Sequence, residues 1–198
     1  MKKLLFLIPA LILSFPVFAK QPAAASVKTG DIAADFSLPD SSGKTVKLSD
    51  AFDKIVMLHF WSARCPFVKR YEERLKAITQ DYAGKGVVVL GIDSNTGESL
   101  EQIREVAAKR GVNYPILIDE GNKIADQFGA VTTPHIFILD KERKLIYSGA
   151  VDDQSWSEKS QPHIAYVREA LDAAIAGKTV PRPQTKTIGC TVKRQANA

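Results

Sequence analysis

The sequence predicts an α/β fold, a central mixed sheet flanked by helices. Strand-like apolar runs alternate with helical patterns along most of the chain. The runs at 55–61 and 87–92 are apolar almost throughout, as expected for strands buried on both faces of a parallel sheet. A late pair of runs, 136–139 and 145–147, flanks a polar turn and adds an antiparallel edge. With 198 residues, 45% hydrophobic and 25% charged, the chain has the composition of one ordinary globular domain.

The first residues stand apart. Lys2 and Lys3 precede an apolar stretch at 4–18, and Val17, Phe18 and Ala19 close it on a small residue. This is the pattern of a secretory signal, with cleavage expected after Ala19 and export across the inner membrane to the periplasm. A membrane anchor is the alternative, but the run is short for a bilayer and holds Pro9 and Pro16. No stable membrane insertion is expected once residues 1–19 are gone. Removing Lys2 and Lys3 with no acid lowers the formal charge from +5 to +3. The remaining charges are interspersed, so nucleic acid is not an expected partner. Export would also place the two cysteines, Cys65 and Cys190, where a disulfide persists.

Residues 20–29 are rich in alanine and read as a flexible lead-in. The folded domain is expected over 30–180. It opens with a β-hairpin around the turn at 41–44, followed by the buried strand 55–61. A long helix is expected from Cys65 to about Tyr82, with Val68, Tyr71, Leu75 and Ile78 on one face. After strand 87–92 comes a helix at 99–110, with Leu100, Ile103 and Val106 aligned and Gly111 as its stop. A short strand at 114–118, a helix at 123–128, the late hairpin and a last helix at 163–176 complete the domain. Pro181 and Pro183 begin an irregular tail, 181–198, that carries Cys190. No internal repeat is visible.

Chemistry concentrates where strand 55–61 hands over to the long helix. A cysteine at that point sits against unpaired backbone N–H groups and the positive end of the helix dipole, both of which favour the thiolate. Arg64 adds positive charge if its side chain turns inward, and Pro66 suits the first helical turn. Val68 stands where the second cysteine of a Cys-x-x-Cys pair would be, so dithiol cycling within the helix is excluded. Thr132, Thr133 and Pro134 lead directly into strand 136–139. Pro134 is either a turn proline or, with Cys65 placed upstream, part of a cis loop facing the thiol.

The histidines carry less. His59 reads as a satisfied core or edge residue, and His163 as surface. His135 either approaches and tunes Cys65 or lies at the surface. Two cysteines and three histidines show no metal-ligand spacing, and no cofactor is expected. Asp152 and Asp153 read as a solvated turn before Gln154, with Trp156 near the rim of the site.

Phe60, Trp61, Cys65 and Pro66 resemble the active-site segment of the thioredoxin-like thiol–disulfide oxidoreductases, and Thr133–Pro134 resembles their cis-proline loop. Cys65-Pro66-Phe67-Val68, together with Ile188-Gly189-Cys190 in the tail, resembles a peroxiredoxin-like redoxin branch related to alkyl hydroperoxide reductase and thiol-specific antioxidant. The resemblance implies a thioredoxin fold with an N-terminal β-hairpin extension. It implies Cys65 as nucleophile and Cys190 as resolving cysteine, with Trp61, Thr133 and Pro134 toward the substrate. The substrate class would be a protein or small-molecule disulfide, or a peroxide, with a thiol electron donor that the sequence does not name. The proline and threonine of the peroxiredoxin pattern are Leu58 and Ser62 here, so the shield over the cysteine is missing. Two further readings stay open: a Cys65–Cys190 disulfide that only fastens the tail, and a thioredoxin-fold binding module without turnover.

Overall fold

The computed structural model describes residues 26–154 and 164–195. The expected signal segment, His163 and Trp156 lie outside them. Among the described residues no helix is long and apolar enough to cross a membrane.

Strands β1 (Ser37–Pro39) and β2 (Thr45–Lys47) form the expected antiparallel hairpin, and a 3-10 turn, Leu48–Ala51, leads on from it. Strand β3 (Ile55–Trp61) then feeds helix α1 (Pro66–Ala83), and β4 (Val87–Asp93) feeds α2 (Leu100–Arg110). Ser99 caps α2 by accepting the Gln102 N–H, and Gly111 ends it in the left-handed region at φ 61°. Strand β5 (Ile116–Ile118) starts two residues later than its apolar run, because Pro115 has no N–H to give; its carbonyl oxygen instead accepts Gly91 N at 2.9 Å. Helix α3 (Lys123–Phe128) and the short strand β6 (Thr132–Thr133) precede the hairpin of β7 (His135–Leu139) and β8 (Leu145–Gly149). Helix α4 (Tyr166–Ile175) follows, and the tail ends in β9 (Cys190–Thr191).

The main sheet runs β5-β4-β3-β7-β8. Strands β3, β4 and β5 are parallel, while β7 and β8 are antiparallel to their neighbours. This is a thioredoxin fold with the hairpin β1–β2 added in front. Side chains of β3 alternate between two apolar layers. Ile55, Met57 and Trp61 pack with Val68, Leu75 and Ile78 of α1 and Val167 and Leu171 of α4. Val56, Leu58 and Phe60 pack with Phe36, Ile124 and Phe128 in the other layer. There the rings of Phe60, Phe137, Phe128 and Phe36 meet edge to face in a chain, at 5.5, 5.3 and 6.3 Å between centroids.

The tail is not an irregular appendage. The Ser148 N–H donates to Pro183 O and the Thr185 N–H to Ser148 O, at 3.0 Å each, which fixes the tail's start against β8. Further on, β9 pairs antiparallel with β6, so that Thr132 faces Thr191 and Thr133 faces Cys190. Val192 then buries its side chain beside Phe128 and Phe137. A two-residue strand has too little alternation to be read from sequence, and only its partner defines it.

Candidate active site

Cys65 is the N-cap residue of α1, in extended conformation, with Pro66 at the first helical position. Its side chain is buried beneath the tail. The Sγ atom lies 2.9 Å from Thr133 O and 2.7 Å from Cys190 Sγ. Thr133–Pro134 is a cis peptide. The strand pair β6–β9 therefore brings a cysteine separated by 125 positions in sequence onto the start of α1. The two thiols share a cleft of about 240 Å³, lined also by Ser62, Asn95, Thr133 and Lys193.

The loop 62–64 that presents Cys65 is organised from α2's approach. Glu98 accepts the Ser62 hydroxyl at 2.5 Å, the Ala63 N–H at 2.6 Å and the Arg64 N–H at 3.3 Å. Ser62 Oγ in turn accepts the Cys65 N–H at 3.1 Å. The Ser62 hydroxyl is thus committed to Glu98 and to the cysteine backbone. Asn95, between the two, donates to Trp61 O at 3.1 Å and accepts the Lys193 N–H at 3.0 Å, tying the tail to the same loop. Glu98 and Asn95 were not singled out from sequence. The available signal was topological: loops leaving the C-terminal ends of adjacent parallel strands converge, and Trp61 pairs with Asp93 at those ends.

Trp61, expected toward the substrate, does not line the cleft of the two thiols. It is 0% exposed, because the odd positions of β3 point under α1. Its ring lies 5.9 Å from the Arg110 guanidinium, whose Nη2 donates to Ala63 O at 2.7 Å. Arg110 Nη1 also stands 3.8 Å from Glu72 Oε2. Tyr114 donates to Glu72 Oε1 at 3.1 Å and lies 3.3 Å from His59 Nδ1. This buried polar cluster supports the loop from below. Burial pushes the Glu72 carboxyl up, offset in part by Tyr114 and Arg110. Burial drives His59 down to about 3, so its ring is neutral.

Arg64 does not turn inward either. Its side chain is exposed and reaches Gln102 Oε1 on α2, at 3.2 Å from Nε and 2.9 Å from Nη2. His135 belongs to the opposite face of the sheet from Cys65. Its ring stacks on Phe137 with centroids 4.2 Å apart and its Nε2 meets Ser148 Oγ at 3.1 Å. Alternation along β7 puts His135 and Phe137 on one side and Ile136 and Ile138, which share the layer of Cys65, on the other. Burial holds His135 down at about 4.

Two acids behave unlike solvated surface groups. Burial first, and then the neighbouring Glu98 carboxylate, push Asp93 up to about 8. Asp152 is buried and ion-paired to Arg74 at 2.8 Å, so the expected solvated turn is instead part of the packed domain. Gln154 Oε1 accepts the other Arg74 amine at 2.6 Å, and Tyr71 donates to Gln154 O. Asp153 bonds to Ile164 through both backbone and side chain.

Cys190 is pushed up to about 11, by burial first and then by the hydrogen bond and charge of Cys65 beside it. Among the described residues no group of three or more His, Cys, Asp or Glu converges as a metal ion would require.

The chain has relatives among known proteins. Residues 29–148 match the model of the AhpC/TSA family. The chain is 28% identical over 121 residues to the thiol-disulfide oxidoreductase ResA of Bacillus subtilis, covering 61% of this chain and 66% of that protein. It is 30% identical over 120 residues to ResA of Geobacillus thermodenitrificans, covering 61% and 68%. The chain thus spans about two thirds of the length of these curated relatives. A crystal structure of a hypothetical protein from Sinorhizobium meliloti superposes with a TM-score of 0.79 at 36% identity, covering 87% of this chain and 97% of that one.

Proposed function

The chain belongs to the AhpC/TSA family, and from that membership and the paired thiols we propose that it is a thiol–disulfide oxidoreductase with Cys65 as nucleophile and Cys190 as resolving cysteine. The observation that carries this reading is the 2.7 Å separation of the two sulfurs at the start of α1. In the reducing direction, the Cys65 thiolate attacks a substrate disulfide, and the departing sulfur takes up a proton. Cys190 then gives up its proton and attacks Cys65, forming the Cys65–Cys190 bond and releasing the second substrate thiol. Two electrons pass from the protein thiols to the substrate, and a thiol donor restores them.

Thr133 and Pro134 supply the backbone edge along which a substrate lies, while Trp61 acts through the loop it supports. A disulfide suits the site better than a peroxide. Leu58 takes the place of the shielding proline, and Ser62 is held by Glu98. The staple reading has less in its favour, because hydrogen bonds and the buried Val192 already fasten the tail. Removal of residues 1–19, a lead-in at 20–29, a redoxin domain at 30–180 and a tail at 181–198 complete the proposal, with work in the periplasm. The basic start and apolar run at 4–18 support export.

Trapping tests it. Reduced Cys190→Ser protein mixed with a peptide disulfide accumulates a Cys65–peptide adduct in intact-mass spectra, whereas wild type proceeds to the intramolecular disulfide. Cys65→Ser protein stays unmodified. Equal reactivity of the two variants would contradict the role assignment.

A further inference from the structure

At Gly189 the tail packs against the backbone of Thr133 and Pro134. A Cβ added there would collide with the Thr133 carbonyl oxygen and lie 2.7 Å from the Thr133 carbonyl carbon and 3.2 Å from Pro134 N. All three are backbone atoms; Thr133 is 1% exposed and its carbonyl abuts Cys65 Sγ, so the loop has no room to step aside. The positions around the pair are unconstrained by comparison. Ile188 is 42% exposed and Thr191 is exposed. One position is screened sterically, the residue that precedes the cysteine.

We infer that the Thr132–Thr133 edge beside Cys65 is a docking groove for an extended polypeptide that carries a Gly-Cys step, its cysteine in a disulfide, and that Gly189-Cys190 of the tail is the groove's resident occupant. This deepens the proposed role of Cys65 and rests on it. A partner strand in the register of β9 places its cysteine opposite Thr133, with its sulfur beside Cys65. The preceding residue then lies against the Thr133 carbonyl, where any side chain larger than hydrogen overlaps backbone. The tail and a partner compete for one edge, so β9 leaves before a partner enters.

The chemistry balances. The Cys65 thiolate attacks the partner's Gly-Cys sulfur, the partner S–S bond breaks, and its second sulfur leaves as a thiolate that takes a proton from water. Once the partner strand lifts off the edge, still tethered through its sulfur, the tail returns, and Cys190 loses its proton to solvent and attacks Cys65. The partner's cysteine departs as a thiol. The two protein thiols are oxidised to a disulfide and the partner disulfide is reduced.

The test uses the full-length Cys190→Ser chain and three disulfides: the homodimer of a peptide copying residues 187–192, the same peptide with alanine in place of its glycine, and hydroxyethyl disulfide. Intact mass follows formation of the Cys65 adduct. The glycine peptide is expected to react about tenfold or more faster than the alanine peptide, the size of an overpacking penalty expressed in the rate. Adding Gly189→Ala to the chain weakens the resident strand and should raise the glycine peptide's rate further. Equal rates for the two peptides, with hydroxyethyl disulfide still reacting at Cys65, would overturn the groove specificity and leave the oxidoreductase reading standing. No reaction with any of the three would overturn both.

Discussion

The Glu98 carboxylate accepts the Ser62 hydroxyl at 2.5 Å, and through it the loop that ends in Cys65 is held to the start of α2. The same carboxylate takes the Ala63 and Arg64 N–H groups. Glu98→Gln offers one carbonyl oxygen in place of a charged acceptor pair. Hydrogen bonds to charged groups contribute about 1.5–3 kcal/mol each, and part of one such bond is lost here. The variant should be less stable by about 1–2 kcal/mol in urea unfolding. It should also slow Cys65 alkylation, since the loop no longer fixes the thiol; an unchanged alkylation rate would show that Glu98 does not position it.

Asp93 makes stability depend on pH. Its carboxyl is raised from 3.8 to about 8, so the folded state holds a proton there that the unfolded state has released. The stabilisation is full below the unfolded value and is lost as pH rises toward the folded one. Asp93→Asn mimics the protonated form without titrating. It should unfold near the wild-type midpoint only below about pH 3.8, and increasingly above it as pH rises to about 8, with the full difference kept at about pH 9. Parallel pH profiles for the two proteins would refute this assignment.

Cys190 should be the slow thiol toward iodoacetamide, its alkylation rising with pH toward about 11. Cys65→Ser removes the hydrogen bond and charge that are the second and third causes of that rise. Burial, the first cause, remains. The midpoint for Cys190 should therefore fall in the variant without reaching the ordinary thiol value. Mass spectrometry of the labelled tail across pH measures it.

Val192 fastens the tail independently of any sulfur chemistry. It is 3% exposed in the layer of Phe128 and Phe137. Val192→Ala should cost about 1.5–2 kcal/mol of stability from the methyl groups removed. It should also raise the rate at which a protease cuts after Lys186, because the segment crossing the site loses its far anchor. Proteolysis unchanged from wild type would mean that other contacts alone hold the tail.

Much of the frame was legible in the sequence because local patterns encode it. The apolar runs of β3 and β4, the stripe Val68, Tyr71, Leu75 and Ile78, and Gly111 behind α2 each follow from backbone period or dihedral preference. Cys65 was legible as a helix-start thiol for the same reason. What escaped depends on long-range packing. Which way Arg64 turns is decided by Gln102 on α2, 38 positions away, and the face taken by His135 is fixed by the pleat of β7. Trp61 was assigned to the substrate from its place before Cys65, yet strand parity buries it. Asp152 looked like a solvated turn until Arg74 of α1 was seen to pair with it. Strand β9 exists only because β6 offers it an edge.

The central claim is that Cys65 and Cys190 form a working redox couple, and the most direct measurement is the reduction potential of that pair. Equilibration of the wild-type protein with glutathione or dithiothreitol buffers, read by mass after alkylation, supplies it. The expected value is about −200 mV or above, in the range of catalytic dithiols. A value below about −300 mV, where structural disulfides of exported proteins lie, would contradict it and identify the bond as a staple.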